Sequence, residues 1–285
     1  MRHAVYGDLS ARDSIALVTA LAAKGIVFEF VAETPALSLA LSMRAGQEHG
    51  PYLRTPEGFV LGDLSTTLDY LERIQPEPAW RPLTPVRRIC ARLLEDWIEL
   101  WLPVWPERAP AVLEGLSVHL AASGFLLGST PCRPDGSLAA WLEADALADC
   151  DGRAHGAGLV PQLFHYAQNV RRAAPRPIVD DVIPISLLPV LSELAKDYHV
   201  YLEANREALH EGDDRVEVDL GFGRTLLPAW RQCEQRRMAI ALELAGLPLA
   251  GRRAVRQMLE PLGAWHALTL PAATNELAAG DPRGL

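Results

Sequence analysis

Eight residues, Gln75-Pro76-Glu77-Pro78-Ala79-Trp80-Arg81-Pro82, carry three prolines and divide the chain into two textures. Proline fixes φ and removes a backbone donor, so neither a helix nor a central strand runs through such a stretch. Before it, His3 to Tyr6 is a short apolar run, Ser14 to Ala23 is apolar and alanine-rich, and Lys24-Gly25 supplies a helix stop. Ile26 to Val31 is β-branched and aromatic, which suits a strand, and Pro35 to Arg44 is a weaker helical segment. Leu53 and Val60-Leu61 read as two short strands joined by the turn residues Pro56 to Gly58. Asp63 then stands as N-cap of a helix over Leu64 to Ile74. The order β-α-β-α-β-β-α within about 75 residues makes one compact α/β domain.

After the prolines the period changes. Thr84 is placed to cap a helix, Pro85 suits its first position, and apolar residues recur at 86, 89, 90, 93, 94, 97, 98 and 101 along one helical face. Further helices are expected at Ala109–Ala122, Leu138–Leu147, Val160–Arg172, Ile185–Leu209, Thr225–Ala245 and Ala250–Leu262, the last two parted by Gly246 and Pro248. Strand-like alternation appears only around Val216 to Leu220, between glycine-bearing turns that allow a small hairpin. The sequence therefore divides into an α/β domain over 1–75, a linker over 76–83 and a helical bundle over 84–285. That bundle carries an extension after about 181 and a frayed tail from Pro271.

A net charge of -9 and a pI near 5.4 argue against a general nucleic-acid binder, which needs excess base to displace counterions from phosphate. Nearly all the basic residues are arginine, Lys24 and Lys196 being the lysines. Cys90, Cys132, Cys150 and Cys233 lie far apart, with no CxxC pair and no histidine at ligand spacing, so neither a metal site nor a redox dithiol is expected. No leader and no apolar run of about 20 residues is visible, which leads to the expectation of a cytoplasmic protein without membrane contact. GxSxG, GxxxxGK[ST] and HExxH are absent, and Gly221-Phe222-Gly223-Arg224 lacks the third glycine of a dinucleotide loop.

The α/β half, the proline stretch and the helical half together resemble the glutathione S-transferase superfamily over about residues 3 to 175. Pro51-Tyr52-Leu53 is similar to that family's cis-proline segment before the third strand, and Asp63-Leu64 to the acidic and hydroxyl pair opening the third helix, with leucine where the hydroxyl belongs. Ser123 to Asp135 looks like the loop and capping segment before a central helix of the bundle, with Cys132 at the usual serine or threonine position. The later extension is similar only to those of uncharacterised bacterial members.

The resemblance implies a thioredoxin-like domain followed by an all-helical one, a homodimer, and glutathione as co-substrate for attack on a small apolar electrophile. It implies that Gly50, Pro51 and Tyr52 pair with the cysteinyl backbone of glutathione, as an added strand would. The N–H groups of Leu64 and Ser65 would take the γ-glutamyl carboxylate, and Asp63 its ammonium, although capping alone also accounts for Asp63. Tyr6 and Ser10 are the candidate thiol activators. Counting back from Lys24-Gly25 sets Ala11 at the usual hydroxyl position. Trp97 and Trp101, with Trp105 continuing the stripe, and Tyr166 are candidates to line the electrophile site, against the alternative that such a stripe is core. The competing reading is a non-catalytic binding or assembly protein of the same fold that has lost glutathione.

Overall fold

The computed structural model describes residues 2–104, 109–146, 160–221 and 223–273. Trp105, the end of the expected helix at Leu147, Cys150 and the tail beyond residue 273 lie outside the described residues. The elements run β1 (His3–Gly7), α1 (Arg12–Ala23), β2 (Phe28–Ala32), α2 (Pro35–Ala45), β3 (Tyr52–Arg54), β4 (Val60–Leu61) and α3 (Leu64–Ile74). Then follow α4 (Pro85–Asp96), α5 (Ala109–Ser123), α6 (Arg133–Trp141), α7 (Val160–Arg172), α8 (Leu188–Leu194) and α9 (Val200–Glu211). The chain ends with a hairpin of β5 (Arg215–Asp219) and β6 (Arg224–Pro228), α10 (Arg231–Gly246) and α11 (Leu249–Leu259).

The chain separates into two compact units, one made of residues 1–82 and 120–178, the other of 83–119 and 179–284. The break after Pro82 falls at the proline stretch, but that stretch is not a free linker. Trp80 is 2% exposed, its N–H donates to Glu72 Oε1 at 3.2 Å, and its carbonyl accepts from Arg133 N–H at 2.9 Å. Gly136 makes room for the indole, since a Cβ there would lie 3.1 Å from the Trp80 ring. Those contacts place α6 in the first unit.

In the first unit the sheet has the order β2-β1-β3-β4, with β1 parallel to β2 and the other pairs antiparallel. This order, with α1 between the first two strands and α3 after the last, is the thioredoxin-like arrangement. Val5 and Leu53 from the sheet meet Ile15, Leu17, Leu21, Leu64, Leu68 and Leu71 from α1 and α3 in one buried cluster.

The helix expected from Leu138 begins five residues earlier, at Arg133, because Asp135 closes its first turn. Asp135 Oδ2 accepts from the Cys132 N–H at 2.8 Å and from its thiol at 3.1 Å, while Oδ1 accepts from Leu126 N–H at 2.8 Å and the Tyr166 hydroxyl at 2.7 Å. Burial pushes the Asp135 carboxyl upward and these four donors oppose the shift. The network ties the 126–135 loop to α7.

The second unit is not purely helical. Thr225 to Leu227, expected as helix, pair in β6 with Val216 to Val218, because alternate residues there bury Leu227 and expose Leu226. Thr84 does not cap α4 either. Its hydroxyl donates to Asp180 O, and the Asp181 carboxylate takes the Val86 and Arg87 N–H groups instead, at 2.9 and 3.1 Å. The polar face of α4, which periodicity assigns to solvent, is covered by the extension: Arg236 of α10 reaches Asp96 at 3.1 Å and Glu99 at 3.0 Å, and Arg88 reaches Glu243 at 2.8 Å.

His199 is buried with no hydrogen-bond partner on either ring nitrogen among the described residues, and burial lowers its pKa from 6.5 to about 4. The unfolded chain therefore takes up this proton first as pH falls. The stability that neutral His199 supports is complete above pH 6.5, declines below it and is exhausted near pH 4, a loss of about 3 kcal/mol. In paired unfolding titrations, His199→Leu should remove that part of the slope between about pH 6.5 and 4; identical slopes would show a solvated ring. Asp135→Ala, which strands four buried donors, should cost about 3 kcal/mol or more by urea titration, and a loss under about 1 kcal/mol would contradict the network's role.

Candidate functional site

Strand register brings four separate chain segments to one level at one end of the sheet. Tyr6 sits opposite Tyr52, so the next step pairs Gly7 with Pro51, and a Cβ on Gly7 would indeed lie 3.4 Å from that proline. Glu33, one residue past β2, donates its N–H to Gly7 O at 3.2 Å. Leu53 stands opposite Leu61, the last residue of β4, and Asp63 follows two residues later, as Pro51 precedes Leu53 by two. The row is Glu33, Gly7, Pro51 and Asp63.

The Gly50–Pro51 bond is cis. Tyr52 is wholly buried, and its hydroxyl donates to Gln47 O at 3.1 Å. Burial and then the Glu33 carboxylate push that hydroxyl's pKa up, so it stays a neutral donor holding the approach to the proline. Glu33 Oε2 comes within 3.3 Å of where a Gly50 Cβ would stand, and Oε1 is shielded from solvent with no partner among the described residues.

Asp63 caps α3, Oδ2 accepting from Thr66 N–H at 2.7 Å and its carbonyl accepting from the Thr67 hydroxyl at 2.7 Å. Its carboxylate is half-buried with one oxygen engaged in the cap. Leu64 and Ser65 occupy the next two positions, where N–H groups lack intrahelical acceptors and the helix dipole is positive. The Leu64 side chain is 7% exposed and belongs to the hydrophobic cluster, so it turns away from the row, while Ser65 is also buried.

Of the two activator candidates, Tyr6 is half-buried on β1 next to the row, with the Arg54 guanidinium 6.0 Å from its ring centre. Ser10 is exposed in the turn before α1. Its N–H donates to Asp8 Oδ1 at 2.8 Å and its hydroxyl also engages Asp8, both holding that carboxyl below its ordinary range. Ala11 is the N-cap of α1 and offers no side-chain bond.

Sequence reasoning missed two neighbours of the row. Ser14 Oγ would lie only 2.5 Å from a Cβ on Gly7, so glycine at the strand end is what admits this hydroxyl. Its signal was available, since Ser14 follows Ala11 by three residues and shares its helical face. Glu33 gave no periodic signal, because a glutamate after a strand reads as an ordinary loop residue.

The aromatic candidates Trp97, Trp101 and Tyr166 are all buried, as the core alternative for the stripe has it. Trp101 is 1% exposed and packs on Tyr198 and Tyr201 at ring distances of 5.5 and 4.9 Å, which is core work. Tyr166 is 5% exposed and spends its hydroxyl on Asp135. Trp97 is buried too, but lines a cavity within the second unit. Among the described residues no three histidine, cysteine or acidic side chains gather as a metal site, and no helix is long and apolar enough to cross a membrane.

The chain is similar to several solved glutathione S-transferases. No protein-family model matches the chain, and no curated protein matches it. Among solved structures, a glutathione S-transferase from Rhodospirillum rubrum is 19% identical, covering 66% of this chain and 91% of its own, with a TM-score of 0.49. A Tau-class glutathione S-transferase from mango, Mangifera indica, is 15% identical over 65% and 94%, with the same TM-score of 0.49. A glutathione S-transferase from Methylobacterium radiotolerans, in complex with glutathione sulfonate, is 19% identical over 64% and 100%, at 0.46.

Because Leu64 is a core residue, Leu64→Ser should destabilise the first unit by about 2 to 4 kcal/mol in place of improving an anion site. Chemical unfolding checks this, and a neutral effect would place the side chain outside the core. Asp63→Ala should cost about 1 kcal/mol by the lost cap, and Asp63→Ser should restore most of it.

Proposed function

We propose that the row of Glu33, Gly7, Pro51 and Asp63 holds glutathione or a closely related thiol peptide, and that the chain activates its thiol for attack on a small apolar electrophile. The observation that carries this reading is the shared register, which sets the start of β3 and the first turn of α3 side by side. A peptide aligned with Gly50 to Tyr52 pairs with backbone as an added strand, and its α-carboxylate meets the N–H groups of Leu64 and Ser65 at the positive end of α3. The Asp63 oxygen outside the cap faces the companion ammonium.

A thiol of pKa about 8.5 is mostly protonated at neutral pH, and a hydrogen bond donated to the sulfur favours the thiolate. Tyr6 is the donor best placed for it, since Ser10 is committed to Asp8 and Ala11 has no hydroxyl. The thiolate then forms a carbon–sulfur bond while the leaving group departs with its electron pair. The electrophile is apolar by analogy with the family.

Tyr6→Phe should lower kcat for conjugation of chlorodinitrobenzene by about a hundredfold and leave the calorimetric Kd for glutathione within about threefold. Ser10→Ala should change neither by more than about threefold. A Tyr6→Phe enzyme of full activity would remove the assignment. The second reading, a binding or assembly protein without catalysis, is favoured by one observation: alanine caps α1 where a reactive hydroxyl would stand. Under it, glutathione would fail to bind at millimolar concentration and both variants would match the parent.

A further inference from the structure

We infer, on the reading that this end of the sheet holds a thiol peptide, that Glu33 makes the site select a peptide whose carboxyl end is capped by an amine-bearing group over glutathione itself. The first turn of α3 takes one end of the peptide and its middle lies along Gly50 to Tyr52. The opposite end therefore passes Gly50, and the charged group standing there is Glu33, whose Oε2 comes within 3.3 Å of where a Gly50 Cβ would be.

The main chain pins Glu33 from both sides. Its N–H donates to Gly7 O at 3.2 Å, and Thr34, the next residue, is the N-cap of α2, with Oγ1 accepting from Leu37 N–H at 3.4 Å. The side chain is half-buried, and Oε1 is shielded from solvent with no hydrogen-bond partner among the described residues. Of the basic residues that lead to Gly50, Arg44 donates to Gly58 O at 2.7 Å and His49 is exposed to solvent.

A carboxylate oxygen taken out of water without a donor is costly, so the ligand that completes this site brings one. Glutathione ends in a glycyl carboxylate, which would set a second negative charge beside Glu33. An amide at that end removes the repulsion, and an ammonium beyond the amide adds an attraction. The ligand's two ammonium groups then meet the two acidic edges, Asp63 and Glu33, and its one carboxylate meets the N–H groups that open α3.

Calorimetric titration of the full chain with glutathione, with glutathione amide and with glutathione coupled through its glycyl carboxyl to 1,3-diaminopropane tests the selection. The diamine adduct should bind at least about tenfold tighter than glutathione, with the amide between them. Glu33→Gln should bring adduct and glutathione within about threefold of each other, partly by tightening glutathione, a gain that damage to the fold does not produce. Glu33→Lys should invert the order and serves as the second variant if the first does not fold. Glutathione binding the parent as tightly as the adduct overturns the selection while leaving the thiol-peptide site standing, and binding of none of the three overturns both. An undiminished preference in folded Glu33→Gln overturns the assignment to Glu33.

Discussion

The pairing of β1 with β3, in the register that sets Tyr6 opposite Tyr52, fixes which residues meet at the end of the sheet. Because side chains alternate along a strand, a slip of one residue would turn Val5 and Leu53 out of the core and carry Pro51 away from Gly7. The parallel partner β2 locks the same level by the Glu33 N–H to Gly7 O bond, and the β3–β4 hairpin brings Asp63 to it. Four segments distant in sequence thus end at one place, the C-terminal end of the parallel pair. Open α/β sheets bind ligands at this end.

Polar interactions inside the protein hold several of its helices together. Asp135 gathers four donors from three stretches of chain, and Arg236 pairs with Asp96 at the end of α4 and Glu99 in the turn that follows. Such groups add little net stability over apolar packing, yet removing one partner leaves the others desolvated and unpaired. They therefore act as constraints on which helices meet. In the second unit they fix the extension onto α4.

Local signals in the sequence were sufficient for much of the fold. The strand and helix order before Pro76, the cap at Asp63 and the helix over Val160–Arg172 follow from residues within a few positions of each other. Long-range interactions were not legible. Asp181 caps a helix that begins some 95 residues earlier, so Thr84 looked like the cap. The side chains that cover the polar face of α4 lie beyond residue 230, and Thr225 to Leu227 became strand only because Val216 to Val218 are there to pair with. Around the row, the corner at Pro51 and the cap at Asp63 follow from neighbouring residues, whereas the approach of Ser14 to Gly7 and of Glu33 to Gly50 is a spatial contact that no spacing in the sequence encodes.

The account depends on a thiol peptide lying across the row from Pro51 to the first turn of α3. Amide NMR of the labelled protein during a glutathione titration tests this most directly. The account predicts saturable shifts concentrated at Gly7, Tyr52, Leu64 and Ser65, with residues of α10 and α11 unmoved. Saturable shifts that spare those four amides, or no shift at millimolar glutathione, would contradict it.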